Sequence, residues 1–262
     1  MAISSPGLAM PVTGSLAPCE PLIGDMREPW RQTIEQRILE AAEEDFARAG
    51  FAGARTAAIA ARAGIPKANL HYYFKTKAAL YRAVLDRILS LWLSETDIIR
   101  AEVAPSFALE HYIRAKMVLA MTHPQASRVF AHEILHGEPH IKDYLCTELR
   151  RLVTAKSRVI EGWVAAGLMA PIDPPHLFFT IWAATQTYAD FDSQVCAVLG
   201  VRHLDAPHQT RAADHVVTLI LRGCGLENAP IKARPFAVRR PRKTAIAGVR
   251  IARSDKRHRS GR

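Results

Sequence analysis

The segment from Thr56 to Leu80, TAAIAARAGIPKANLHYYFKTKAAL, constrains the fold more than any other part of the chain. Its run of alanines favours a helix, and the side-chain oxygen of Thr56 can cap the first amides of that helix. Gly64 then supplies the left-handed conformation at which a helix ends. Beyond it, Leu70 and Phe74 are four residues apart and should face inward together on a second short helix. This order of helix, glycine turn and short helix is the layout of a helix-turn-helix.

The same region is basic. From Phe46 to Leu85 the sequence contains no Asp or Glu, whereas its cations are Arg48, Arg55, Arg62, Lys67, Lys75, Lys77 and Arg82. A surface without carboxylates suits the phosphates of DNA. A basic helical hairpin that is merely solvated would have the same composition, so charge and turn alone leave both interpretations open.

The second short helix supplies the candidate DNA-binding residues, because a helix-turn-helix contacts base edges with the N-terminal residues of its second helix. With Leu70 and Phe74 inside, the outward positions are Lys67, Ala68, Asn69, His71, Tyr72 and Tyr73. Asn can bond an adenine edge in two places and Lys prefers guanine acceptors. We therefore predict that the base-facing residues are Lys67, Asn69, His71 and Tyr72. The predicted phosphate contacts are Thr56, Tyr73 and Lys77, although Tyr73 is equally suited to the core.

The rest of the chain predicts an all-α protein with two folded regions. The 262 residues are 49% hydrophobic, enough for one good core or two modest ones, and the apolar periodicity is helical throughout. We expect a disordered arm over residues 1–30, a three-helix DNA-binding domain over 31–91, a helical ligand-binding and dimerisation domain over 92–225, and a disordered basic tail over 226–262. The net charge of +10 lies in that tail, because residues 1–225 balance to zero.

Caps and helix breakers set the predicted helix boundaries. Thr33 and Gln36 form a capping box for a first helix that ends at Gly50, and Thr76 caps the helix that follows the second short helix. Later helices are predicted over residues 105–123, 125–136, 141–166, 175–199 and 207–222. The last two are so apolar that we predict they pair with a second copy of the chain, giving a homodimer.

The sequence contains no recognisable signal peptide, membrane-spanning segment or cofactor motif. No apolar run approaches the roughly 18 residues that span a bilayer, and prolines interrupt the N-terminal stretch, so we expect a cytoplasmic protein without a signal peptide. The four cysteines are widely spaced and are predicted to be inert thiols, without a disulfide or metal pair. We expect no cofactor.

A second motif, HEILH over residues 132–136, offers a different class of function. His132 and His136 face together on a helix, and Glu133 beside them matches the zinc-hydrolase pattern of two ligands and a general base. The third histidine of the extended pattern is replaced by Lys142, so a third ligand would have to be Glu148 or Glu161. Short matches of this kind carry a false-positive risk, and we rank a hydrolase below a DNA-binding protein.

A third pattern lies in the apolar helix IWAATQTYADF, where Trp182 and Gln186 share a face. An indole beside an amide suits a flat heterocycle, because the ring can stack on Trp while the amide gives one donor and one acceptor. The alternative is that Trp182 is a core residue and Gln186 bonds across a dimer. The residues alone favour that alternative.

The order of residues in the helix-turn-helix resembles the TetR family of one-component transcriptional regulators. The resemblance is carried by Gly64, Leu70, Tyr72, Tyr73, Phe74 and Lys77, with Pro66 where many members have a Ser cap. The segments HPQASRVF, GWVAAGL and IWAATQTYADF extend it to pyrimidine-utilisation repressors within that family, over roughly residues 33–200.

This resemblance implies a dimeric, non-enzymatic repressor that binds an operator in double-stranded DNA. It also implies release from DNA when uracil or thymine binds the C-terminal helices, with Trp92, Trp182 and Gln186 lining the pocket. A TetR-type regulator of another heterocycle or of a lipid-like ligand is the alternative, and the zinc hydrolase is a more distant one.

Overall fold

The computed structural model describes residues 27–137 and 139–226, and for residues 27–30 the backbone alone. Within these ranges every regular element is helical, which confirms the predicted all-α class. The helices are α1 (Arg27–Gly53), α2 (Thr56–Arg62), α3 (Lys67–Tyr73), α4 (Lys77–Ser94), α5 (Pro105–Thr122), α6 (Pro124–Leu135), α7 (Lys142–Tyr144), α8 (Arg150–Ala165), α9 (Pro174–Asp190), α10 (Asp192–Leu199) and α11 (Ala206–Gly223). A 3-10 turn, Glu95–Ile98, follows α4, and a π-helical turn, Leu145–Leu149, joins α7 to α8.

Helix α1 begins earlier than its predicted capping box. It starts at Arg27, so Thr33 lies inside the helix and not at its cap, and that prediction is wrong. Pro29 does not prevent the earlier start, because a helix needs no amide donors in its first turn. The predicted break at Gly50 is present, with φ 64° there. Residues 1–26 of the predicted arm and the predicted tail beyond residue 226 lie outside the described residues.

The turn between α2 and α3 forms as its sequence predicts. Gly64 has φ 66°, and the amides of Gly64 and Ile65 bond the carbonyls of Ala61 and Ala60, which closes α2 in a Schellman motif. One detail differs: Thr56 is the first residue of α2 and Arg55 occupies the cap position without a side-chain bond. Thr76 does cap α4, because its hydroxyl accepts a hydrogen bond from the Ala79 amide at 3.0 Å.

A first core joins the helix-turn-helix to the helices that follow it. Leu70 and Phe74 are buried there, as predicted, together with Ile38 and Phe46 of α1. The same core continues along α4, whose buried face runs from Leu80 to Trp92, and it includes residues of α6. The 18 residues of α4 span about 27 Å. One continuous helix therefore connects the DNA-binding region to the second half of the protein.

The second core centres on α5, which packs against both α9 and α11. Its buried residues include Tyr112 and Ile113 of α5, Phe178 of α9 and Val217 of α11. The last helix runs over Ala206–Gly223, close to the predicted 207–222. None of the helices in the described ranges is long and apolar enough to cross a membrane.

Two predicted long helices are interrupted. The helix expected over residues 175–199 breaks at Phe191, and the one expected over 141–166 contains the π-helical turn. At the first break, the guanidinium of Arg128 contacts the Ala189 carbonyl at 3.4 Å and pairs with Asp192 at 3.0 Å. Arg128 belongs to α6, so these contacts at the break join two helices and are not visible in the local periodicity.

Replacement of Gly64 tests the turn. Gly64→Ala should lower the free energy of unfolding by about 1–3 kcal/mol, because a β-carbon at positive φ is strained. That atom would also lie 2.6 Å from the Arg37 guanidinium. The matched control is Gly162→Ala in the interior of α8, where nothing lies within 4 Å, and which should stabilise by about 0.5–1 kcal/mol. Urea unfolding of the two variants measures both effects, and equal stability of both would contradict the strained turn.

Candidate functional site

The outward face of α3 presents the residues predicted to contact base edges. Leu70 is buried beneath it, whereas the side chains of Lys67, Ala68, Asn69, His71 and Tyr72 are exposed. Tyr72 is 65% exposed and its ring lies edge-on to Tyr73, with centroids 5.5 Å apart. Tyr73 is half-buried and packs against the first core, so it combines a structural contact with the predicted phosphate contact.

Lys77 does not extend freely into solvent, as a lysine that only binds phosphate would; it contacts the segment between α1 and α2. Its ammonium donates to the carbonyls of Ala52 and Ala54 at 3.3 and 3.1 Å and lies 4.7 Å from the ring centroid of Phe51. These contacts fix the segment between α1 and α2. An ammonium has three protons, so one remains for a phosphate. The half-buried Thr56 lies at the start of α2, on the other side of that segment.

Some cations of the basic region are paired with acids of α1. Arg62 contacts Glu44 at 2.8 Å and the buried Asp45 at 3.4 Å, and Arg48 contacts Asp45 at 2.7 Å. Arg37 donates to the carbonyl of Ala63 at 2.5 Å, directly beneath the turn. Glu44 and Asp45 of α1 therefore help to hold α2 in place. Lys67 on α3 and Lys75 just after it are therefore among the cations of this surface that are less engaged with acids.

Trp92, Trp182 and Gln186 lie around one cavity of about 40 Å³, between α4, α5, α6 and α9. The structure thus brings Trp92 of α4 together with Trp182 and Gln186, which share α9, a helix far from α4 in the sequence. The other lining residues are Leu89, Leu93, Tyr112, Lys116, Phe130 and Leu149. Phe130 lies edge-on to Trp92 with ring centroids 5.2 Å apart. The cavity therefore has aromatic walls and a small polar edge.

Tyr112 and Lys116 are polar residues of this cavity that the sequence argument missed. The Trp182 indole N–H donates to the Tyr112 hydroxyl at 2.8 Å. Lys116 is 4% exposed, and its ammonium lies 4.3 Å from the ring centroid of Trp92. Burial lowers the pKa of Lys116 to about 8, and the charge of Asp190 opposes that shift. A lysine four residues from Tyr112, on the apolar face of α5, was the available sequence signal.

The cavity is smaller than ligand pockets usually are. Such pockets measure about 300–1,000 Å³, whereas a water molecule occupies about 30 Å³. A heterocycle therefore needs more room than this cavity offers. One wall of the cavity, Trp92, belongs to α4, the helix that begins at the DNA-binding region.

The HEILH motif does not assemble a zinc site. His132 and His136 are exposed at the end of α6, but Glu133 is 2% exposed and faces the interior. Its carboxylate accepts the His140 amide at 2.6 Å and lies 3.2 Å from the His140 ring. No group of three His, Cys, Asp or Glu within residues 27–137 and 139–226 could hold a metal.

Two family descriptions cover most of the folded chain. Residues 38–84 match bacterial regulatory proteins of the tetR family, and residues 85–227 match the C-terminal region of YcdC-like proteins. The protein is therefore a helix-turn-helix transcriptional regulator, and the chain belongs to the TetR family. TetR-family regulators bind DNA operators and small-molecule effectors.

Individual relatives agree with this assignment. The HTH-type transcriptional regulator RutR of Escherichia coli strain K12 is 45% identical over 189 residues, which cover 72% of this chain and 89% of RutR. The HTH-type transcriptional repressor NicS of Pseudomonas putida is 27% identical over 192 residues, covering 71% of this chain and 90% of NicS. The transcriptional regulator SCO4942 of Streptomyces coelicolor matches with a TM-score of 0.59 and 26% identity, over 73% of this chain and 98% of that one. These relatives are transcriptional regulators, not enzymes.

The buried charge in the cavity should reduce stability. Lys116→Met should raise the free energy of unfolding at pH 7 by roughly 1–3 kcal/mol, because it removes an ammonium that burial disfavours. Above pH 8 this advantage should shrink: the folded wild type has then lost the Lys116 proton while the unfolded chain keeps it, so wild-type stability rises with pH. Urea unfolding at pH 7 and pH 9.5 measures both effects. The exposed Lys142→Met is the control and should change stability by less than about 0.5 kcal/mol.

Proposed function

We propose that this protein is a homodimeric repressor that binds operator DNA through α3 and is released by a pyrimidine such as uracil or thymine. The observation that carries this proposal is the common cavity of Trp92, Trp182 and Gln186, because its wall includes the helix that begins at the helix-turn-helix. The resemblance to pyrimidine-utilisation repressors of the TetR family supports the choice of effector.

DNA recognition is proposed to use the exposed residues of α3. Asn69 can make two hydrogen bonds to an adenine edge, and Lys67 can bond guanine acceptors in the major groove. Lys75 and the remaining proton of Lys77 lie at the C-terminal end of α3, where they suit phosphates flanking the groove. Base contacts from α3 and phosphate contacts around it would together fix the register on DNA.

The proposed dimer uses the outer faces of α9 and α11. Phe179 of α9 is 51% exposed and Leu219 of α11 is 59% exposed. An apolar groove of about 390 Å³ runs between the two helices, lined by Leu177, Leu219 and Ile220 among others. A second copy can cover these faces by two-fold symmetry. Two recognition helices about 34–36 Å apart could then enter successive major grooves.

The proposed switch follows from the small size of the cavity. A pyrimidine stacked on Trp182 and bonded by the Gln186 amide requires α4 to move away from α9, because Trp92 occupies the facing wall. Movement of α4 changes the distance between the two recognition helices of a dimer. The effector releases DNA only to the extent that it binds this expanded form more tightly than the DNA-bound form.

DNA recognition can be tested with one α3 residue. Asn69→Ala should weaken binding to DNA upstream of the protein's own gene by about 1–3 kcal/mol, because a bidentate base contact is lost. Lys142→Ala, which removes an exposed cation of α7, should bind as the wild type does. Fluorescence anisotropy at fixed salt measures both affinities. An unchanged affinity for Asn69→Ala would exclude a base contact by that residue.

The effector can be tested by titration of uracil into the complex of protein and DNA. Uracil should release the wild type, whereas Gln186→Leu should bind DNA normally and respond at least tenfold less, since an unpaired ring edge costs about 1–3 kcal/mol. Gln125→Leu, an exposed glutamine of α6, is the matched control and should respond like the wild type. No release of wild-type protein by uracil or thymine would reject the pyrimidine proposal.

A further inference from the structure

The polar edge of the effector cavity contains more hydrogen-bond donors than acceptors. The Tyr112 hydroxyl oxygen accepts the Trp182 indole N–H, so its own proton is available for donation. Lys116 contributes an ammonium, which can donate three hydrogen bonds and accept none. The Gln186 amide adds two donor hydrogens and one acceptor oxygen. A ligand that satisfies this edge must therefore offer mainly acceptor atoms.

Lys116 has no protein acceptor in this position. No residue within the described ranges accepts a hydrogen bond from its ammonium, whose close contact is the face of Trp92 at 4.3 Å. Asp190 acts on it only through its charge, since no ion pair forms between them among the described residues. A buried ammonium without an acceptor is costly. An apolar side chain in place of Lys116 would avoid this cost, and only the Trp92 ring and the charge of Asp190 offset it within the described residues.

We propose that Lys116 determines effector specificity, and that the cavity selects planar heterocycles presenting a carbonyl oxygen to this ammonium over those presenting an amino group. The inference rests on the proposed function, because it assumes that the effector binds in this cavity. A carbonyl oxygen would give the buried ammonium its missing acceptor. An amino group in the same place would leave two donors facing each other, both unpaired. Uracil and cytosine differ in this respect at one ring position, where uracil has an oxygen and cytosine an amino group.

The same contact links effector binding to a proton. Burial lowers the pKa of Lys116 to about 8, so the free protein begins to lose this charge at mildly alkaline pH. A bound carbonyl favours the charged form and raises the pKa in the complex. Binding above pH 8 should therefore take up a proton, and affinity for a carbonyl ligand should fall as pH rises.

The other ionisable groups around Lys116 are few. Tyr112 lies one turn away on α5 and, because burial raises its pKa, it stays neutral in this range. Asp190 of α9 favours the Lys116 charge. Burial raises the pKa of that carboxyl, and Ser127 and Arg128 of α6 oppose the rise. The lining residues from α4, and Leu149, carry no titratable group. None of these groups is expected to change its charge between pH 7 and pH 9 in the way that Lys116 does.

The test compares uracil and cytosine binding to the full chain by isothermal titration calorimetry at pH 7. Wild type should bind uracil at least tenfold more tightly than cytosine, as expected when a wrong edge leaves buried donors unpaired. Lys116→Met should lose most of that preference, whereas Lys142→Met should keep it. A Lys116→Met protein that still prefers uracil by the wild-type factor would overturn the proposal while leaving the pyrimidine effector intact.

A second measurement uses the wild type alone and follows its affinity for uracil as a function of pH. From pH 7 to pH 9 the wild-type affinity for uracil should fall several-fold, and at pH 8.5 binding should take up a proton, seen as a binding heat that depends on the buffer. A pH-independent affinity without proton uptake would overturn the role of Lys116. If wild type binds neither base at any pH, both this inference and the pyrimidine effector are rejected.

Discussion

Burial of α4 from end to end is the constraint on which the rest of the structure depends. Leu80 and Tyr81 are fixed in the core of the DNA-binding region, and Trp92 forms a wall of the proposed effector cavity. Protein interiors are close-packed, so a helix held in this way shifts as a unit. In the proposed switch, a displacement at Trp92 is carried along this one helix to the helix-turn-helix.

The short recognition helix depends on its surroundings for its orientation. Helices α2 and α3 have seven residues each, too few to be stable alone in water. Arg37 bonds the turn beneath Gly64, and Lys77 bonds the segment before α2. Basic residues in this region thus divide into those that hold the helices in place and those left exposed on α3. Composition alone cannot separate the two groups, because both contribute the same charge.

The cavity of Trp92, Trp182 and Gln186 and the HEILH motif differ in whether the predicted residues meet. The motif places two histidines on one helical face, but Glu133 turns inward to His140, and no zinc site forms among the described residues. Trp182 and Gln186 looked more like core residues from their helix alone, yet Trp92 completes a cavity with them. In each case the deciding partner lies on another segment of the chain. A buried lysine is poorly suited to a stable core. Lys116 therefore indicates the position of the cavity more clearly than Trp182 or Gln186 does.

The sequence by itself determined the helical class, the Gly64 turn, the inward position of Leu70 and Phe74 and the cap at Thr76. These features depend on residues within one or two helical turns, where spacing and backbone preference suffice. The tertiary structure decided the break at Phe191, the burial of Glu133 and the meeting of Tyr112 and Lys116 with Trp92 and Trp182. Tyr112 and Trp182 are 70 positions apart, and their hydrogen bond exists only because α5 and α9 pack together. Such contacts between distant segments leave no periodic signal in the sequence.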